Sequence, residues 1–205
     1  MKHFFLALLI ITSFANCTTQ KPSYVDEIKL HQYELNTQYA DKDESPLTKE
    51  DLKTFKALDF FKIDKNYRVE AKFELTPDTP VFEMKTTTDR LPLYRQYGIA
   101  TFTLNGKEQT LSVYQNQNLM TDIEYEDYLF IPFNDKTNGT LSYGGGRYID
   151  VSIPSNNEII MIIDFNKSYN PYCAYNSKYS CPIPPKENNL NIEILAGVKA
   201  YGEHH

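Results

Sequence analysis

The stretch from Glu158 to Asn188, EIIMIIDFNKSYNPYCAYNSKYSCPIPPKEN, restricts the possible folds of this chain more than any other. It opens with Ile159 to Ile163, an apolar run of the length and β-branched composition of a strand buried on both faces. Asp164, Asn166, Tyr169 and Asn170 then crowd together, followed by Pro171, Cys173, Cys181, Pro182, Pro184 and Pro185. Prolines fix φ and remove amide donors, so neither a helix nor a regular strand continues here. Four tyrosines and two cysteines are equally unlike a linker. The stretch reads as an ordered loop lying over the mouth of a β-structure.

The rest of the chain supplies that β-structure. Ser23 with Asp26 resembles a capping box, and Tyr24, Ile28, His31, Leu35 and Tyr39 recur at helical spacing, predicting a helix to about Ala40. Ser45-Pro46 breaks it, and Thr48 with Asp51 caps a second short helix whose face carries Leu52, Phe55 and Leu58. From Tyr67 the period changes to two: Tyr67, Val69, Ala71, Phe73 and Leu75 alternate with charged residues, and Val81 to Lys85 continues the pattern. Ile99 to Leu104, Asn105-Gly106 and Lys107 to Tyr114 spell a hairpin, because Asn-Gly accepts the positive φ angles of a two-residue type I′ turn. Tyr128 to Phe133, Leu141 to Tyr143, Arg147 to Ile153, Ile159 to Ile163 and Leu190 to Leu195 are further expected strands. The fold class is therefore mainly β, an antiparallel barrel or sandwich with one or two N-terminal helices.

The loop also carries a resemblance. DFNKSYNPYCAYNSKYSCPIPPKENNL, residues 164 to 190, resembles the signature of the family called domain of unknown function sixteen-eighty-four. The family outline is D-F-N-x-A-Y-N-P-x-C-A-[YF], then C-P-x-P-P-x-E-N-x-L, then an A-G-[EV] end. Asp164, Asn166, Tyr169, Asn170, Pro171, Cys173, Tyr175, Cys181, Glu187 and Asn188 match, while Ser168 replaces the usual Ala and Val198 stands where Glu is common. FFKIDKNYRVEAKF (60 to 73) and DKTNGTLSYGGGRYIDV (135 to 151) fit the same family, so the likeness spans about residues 45 to 199. It implies little about activity, since the family has no established function.

The first residues read as an address. Lys2 and His3 precede an apolar run, Phe4 to Ile11, and Phe14-Ala15-Asn16-Cys17 resembles a lipoprotein cleavage box. The expected organisation is a signal peptide over 1–16, a lipid anchor on Cys17 with a helical arm over 17–44, and one β-rich domain over 45–205. The alternative is an ordinary secretory peptide in which Cys17 is incidental. The run is shorter than the about 20 apolar residues of a spanning helix. Cys17 is followed by Thr18, Thr19, Gln20 and Lys21 rather than an acidic run, which favours the periplasmic face of an outer membrane. A formal charge of −6 without a basic stripe argues against nucleic acid.

Chemistry is narrowed by what is missing. The four histidines are His3, His31, His204 and His205, none within the expected β-body, so Ser-His and Cys-His nucleophile pairs lack a base. His-rich zinc sites fall for the same reason, and neither a metal nor a cofactor is expected. Cys173 and Cys181, in an exported protein, are expected to form a disulfide that clamps the loop, contributing about 2–3 kcal/mol in the loop-entropy model; free thiols and a metal pair are the rivals. Asp135 to Gly139 reads as a turn rather than a calcium loop, having one carboxylate in five residues. Gly144-Gly145-Gly146 reads as a bulge or close backbone approach rather than an anion nest.

What remains is a polar set: Arg147, Asp164, Asn166, Tyr169, Asn170, Tyr175, Glu187 and Asn188. These are candidates for binding a small polar molecule, glycan or envelope partner through the 164–188 loop. Alternatives are a carboxylate-dependent hydrolase using Asp164 and Glu187 with Arg147, and a structural envelope protein whose polar residues only cap turns and pair internally. Sixteen Tyr and no Trp suit either ordinary strand aromatics or a stacking surface for rings.

Overall fold

The structure, a computed structural model, describes residues 21–155 and 159–202. Helix α1 (Tyr24–Ala40) starts on the expected capping box, with Ser23 Oγ accepting from the Asp26 amide and the Asp26 carboxylate accepting from the Ser23 amide. Helix α2 (Lys49–Thr54) is capped by Thr48, whose Oγ1 accepts from the Asp51 amide at 3.1 Å. It stops before Leu58, so Leu58 packs from an extended segment rather than a helical face.

The body is one curled antiparallel sheet, a half-barrel, of β1 (Arg68–Leu75), β2 (Val81–Glu83), β3 (Leu93–Leu104), β4 (Lys107–Asn116), β5 (Tyr128–Phe133), β6 (Arg147–Ser152) and β7 (Ile160–Asp164). The strand order is β6-β5-β4-β3-β1-β7, with β2 on β3. The hairpin is where the sequence put it: Leu104 faces Lys107, and Asn105 and Gly106 have φ of 52° and 72°.

One face of the sheet carries the main core. Val69, Ala71, Phe73, Ala100, Phe102, Leu111, Val113, Leu129, Ile131 and Ile149 meet there with Phe165, Leu190, Ile192, Ile194 and Ala196. A second cluster, around Tyr39, Leu47, Leu58, Tyr175 and Val198, fixes the helices to the 164–188 loop. A third, of Met84, Tyr94, Tyr114, Phe130 and Tyr148, lies on the other face of β3 to β6. In β5 nearly every residue is therefore buried.

Three expected strands turn out differently. Leu190 to Leu195 does alternate buried and exposed, but it plugs the core without joining the ladder. Its backbone is tied by scattered bonds instead: the Leu190 amide to Asn134 O, the Lys136 amide to Ile192 O, and the Ile194 amide to Asp135 Oδ1. Leu141 to Tyr143 is a turn, held by the Leu141 and Ser142 amides donating to Thr137 O, which leaves Leu141 exposed. Ile159 to Ile163 is a strand only from Ile160, and it is not buried on both faces. Ile160 and Ile162 lie opposite Lys72 and Glu70 on an outward face. β7 ends the strand order, and Ile160 and Ile162 stay 41% and 38% exposed, whatever the apolar run alone implied.

Candidate functional site

The third cluster forms the floor of a cavity of about 610 Å³ between the sheet, helix α1 and the 164–188 loop. The pairing register builds it. Tyr94 of β3 faces Asn116 of β4, whose amide donates to the Tyr94 hydroxyl at 3.2 Å. Phe130 of β5 lies directly across from Asp150 of β6, and Tyr148 follows two residues away on the same face. Tyr148 stands edge-on to Phe130 at 4.7 Å and to Tyr169 at 5.8 Å, and its hydroxyl donates to Pro182 O. The loop closes the far wall with Tyr169, Pro171, Tyr172, Tyr179 and Cys181. Helix α1 contributes His31, Leu35, Gln38 and Tyr39, and is fastened there by Gln38 donating to the Tyr172 hydroxyl at 3.1 Å.

Asp150 is the one carboxylate among the residues lining this cavity. Its Oδ1 accepts from the hydroxyls of Tyr128 and Tyr169, each at 2.8 Å, while Oδ2 takes no hydrogen bond from any described residue. Asp150 is exposed at the cavity, with the walls crowding its carboxyl group. Desolvation raises its pKa above the ordinary carboxylate value, against the opposing pull of the Tyr169 and Tyr128 hydrogen bonds. Asp150 also borders a smaller recess of about 300 Å³ beside Glu124 and Asp127. Positive groups reach the main cavity as Lys167 and Arg90; Arg90 is held by Ser180, donating to its Oγ at 3.1 Å and its carbonyl at 2.7 Å. His31 has its pKa lowered by desolvation and by Lys167.

Of the polar set singled out in the sequence, only Tyr169 lines this cavity. Arg147 is wholly buried and pairs with Asp135 at 2.8 Å, not with Glu187. It also donates to the carbonyls of Ile194 and Ala196 and sits over the rings of Phe133 and Phe61. Asp164 caps the turn after β7, accepting from the Asn166 amide, and takes the Tyr24 hydroxyl of α1 at 3.0 Å. Asn166 joins that knot by donating to Asp64 O and accepting from the Asp64 amide. Asn170 donates to Lys199 O and the Tyr175 hydroxyl, and Tyr175 packs against Tyr39 and Tyr201. Glu187 accepts from the Tyr114 hydroxyl at 2.7 Å. Asn188 clips β4 and β5 together through Ser112 N, Ser112 O and Pro132 O. Asp164 and Glu187 thus have separate partners and line neither cavity nor recess.

Other motifs behave as turns. Asp135 accepts from Thr137 N and Oγ1, which closes the 135–139 turn, and Gly139 has φ of 74°. Gly146 passes so close to Asn134, Phe133 O and Pro184 that a Cβ would come within 2.7 Å of each, which is the close backbone approach expected for the triple glycine. No histidine lies within the β-body, but α1 packs on the 164–188 loop and brings His31 to the cavity. Cys173 and Cys181 are adjacent, with the Cys173 amide donating to Cys181 Sγ at 3.1 Å, and both stand as free thiols rather than the expected disulfide. Among the described residues no three His, Cys, Asp or Glu side chains group to hold a metal, and no helix is long and apolar enough to cross a membrane. Cys17, the expected lipidation site, and the signal segment lie outside the described residues.

Asp150 was legible only indirectly. In Arg-Tyr-Ile-Asp-Val it falls on the polar alternation of a strand, which reads as a solvated face. The signal was in β5, where Tyr-Leu-Phe-Ile-Pro-Phe is apolar on both faces and announces a second covered side.

The chain is similar to an uncharacterized protein of Haloarcula marismortui solved in solution by NMR, with 30% identity and a TM-score of 0.69. That similarity covers 88% of this chain and 96% of the other. A search of curated proteins finds no match. The family model described as protein of unknown function (DUF1684) matches residues 53–199, which include the sheet, the cavity walls of the loop and the C-terminal plug. The chain belongs to that family.

Proposed function

We propose that this is a lipid-anchored protein of the cell envelope, facing the periplasm, that binds a small polar ring compound such as a sugar unit in the cavity under the 164–188 loop. The observation that carries the reading is Asp150: one oxygen is oriented by two tyrosine hydroxyls, and the other is left for a ligand between aromatic walls. A sugar ring offers apolar C–H faces to Tyr and Phe rings and hydroxyl donors to a carboxylate, which is the combination the lining supplies. Lys167 and Arg90 favour a ligand that also carries an acceptor or negative group. A paired-carboxylate glycosidase needs two acids flanking one bond. Asp164 and Glu187 are engaged elsewhere, and Asp150 has no carboxylate partner in the main cavity.

The test is binding of neutral hexoses, N-acetylhexosamines and hexuronates, read by tyrosine fluorescence and by thermal shift. At least one class is expected to bind, and Asp150→Asn to weaken that binding about tenfold to hundredfold, the value of a hydrogen bond to a charged group. Absence of binding by all three classes, or binding indifferent to Asp150→Asn, overturns the reading.

A further inference from the structure

We propose that Cys173 and Cys181 form a redox-active dithiol, in which Cys173 attacks an external disulfide and Cys181 resolves the product. The proposal does not depend on what occupies the cavity.

The two cysteines are held differently. Cys181 is buried and sits in a segment pinned to the 85–87 chain. The Thr87 amide donates to Cys181 O at 2.9 Å, the Cys181 amide donates to Thr87 Oγ1 at 3.1 Å, and the Ile183 amide donates to Lys85 O at 2.9 Å. Cys173 lies on the short 3₁₀ turn Tyr172–Ala174 and is half-exposed. The turn points its amide N–H at Cys181 Sγ, so the thiols are held side by side across an eight-residue spacing. Tyr143 brings its hydroxyl to 4.0 Å from Cys173 Sγ.

This division of labour suits exchange. The accessible thiol is also the acidic one: the neighbouring Cys181 thiol and the Tyr143 hydroxyl hold Cys173 down to about 7 against its burial. Cys181, donating toward Cys173 and buried, has its pKa raised and keeps its proton. The Cys173 thiolate attacks one sulfur of R–S–S–R, forming Cys173–S–S–R and releasing RS⁻. RS⁻ takes the Cys181 proton, and the Cys181 thiolate then attacks Cys173 Sγ and expels the second RS⁻. That thiolate takes up the proton Cys173 had lost to solvent. The sum is dithiol plus R–S–S–R giving an internal disulfide plus two RSH, with two electrons passing to the external disulfide. Cys181 lines the cavity, so the new bond forms in its wall.

The experiment uses the purified full chain, reduced, with glutathione disulfide as the probe and peptide-resolved mass spectrometry of Cys173 and Cys181 as the readout, so that Cys17 does not enter. Wild type is expected to lose two hydrogens and retain no glutathione, and reduced glutathione is expected to reverse the change under native conditions. Cys181→Ser should accumulate glutathione on Cys173, whereas Cys173→Ser should react far more slowly. Alkylation of Cys173 should titrate with a midpoint near 7 rather than about 8.5, the free-thiol value. Tyr143→Phe, which leaves both thiols, should move that midpoint upward. Far-UV circular dichroism controls for folding of each variant. The proposal is overturned by equal reactivity of the two single variants, by a midpoint at the free-thiol value, or by an internal disulfide that reduced glutathione leaves intact, which marks a fixed structural bridge.

Discussion

Arg147→Met tests whether the guanidinium is part of the frame or of a binding surface. Methionine keeps an apolar stem of similar length and removes the charge. The loss can be worked from the partners. The Arg147 side chain is 0% exposed and gives hydrogen bonds to Asp135 Oδ2 at 2.8 Å, Ile194 O at 2.8 Å and Ala196 O at 2.5 Å. Without it, Asp135 keeps the Thr137 amide, the Thr137 hydroxyl and the Ile194 amide but loses its counter-charge, and two buried carbonyls lose donors. Breaking one side of a buried ion pair costs about 3–5 kcal/mol, mostly because the remaining charge is stranded. That is a third or more of the stability of an ordinary domain. With a urea m-value of roughly 2 kcal/mol/M, the midpoint should fall by about 2 M. Asp135→Asn added to Arg147→Met should cost less than the sum of the two single changes, since no lone charge then remains. A loss below about 1 kcal/mol would refute the closed-pair account. Full stability with weakened sugar binding would return Arg147 to the binding surface.

Three further outcomes are expected. Gly106→Val places a β-branched residue at φ of 72° with no neighbour in its way, so the cost is backbone strain alone, about 1–3 kcal/mol in urea unfolding, and an effect of a few tenths would contradict the turn. Asp150, with a folded pKa raised above its unfolded value of about 3.9, binds its proton more tightly when folded. Its contribution is therefore fully present below the unfolded pKa and lost as pH rises through the folded one; Asp150→Asn should flatten this fall in a pH series of unfolding midpoints, and an unchanged profile counts against the shift. Cys17→Ala, if Cys17 carries the proposed lipid, should remove the protein from the membrane fraction or block its maturation, and an unchanged fraction disproves the anchor.

The parts of the fold that obey local rules were readable in the chain. Asn105-Gly106 demands a tight turn whatever surrounds it, and Ser23 with Asp26 starts a helix by satisfying its own amides. Alternation was a weaker guide because it reports burial, not pairing. Leu190, Ile192 and Ile194 bury alternate side chains with no partner strand, and Ile160 and Ile162 are apolar yet face outward. The loop motif reads as ordered from its prolines and aromatics, but its polar residues suit a binding surface and internal capping equally well in the sequence. In the structure Asp164, Asn166, Asn170 and Asn188 satisfy backbone groups in a segment too irregular to satisfy itself. The binding candidate Asp150 depends on strand register and on α1 and the loop closing the cavity opposite the sheet, which are distances in space that sequence spacing does not encode.

The partners of Arg147 lie far along the chain, at Ile194 and Ala196, and Asn170 waits for Lys199. During synthesis every strand of the sheet emerges before those carbonyls exist. A nascent chain stopped at β7 therefore has its strands but not the acceptors that its most buried cation requires. A fragment cut after β7 is accordingly expected to lack the stability of a chain that reaches Lys199.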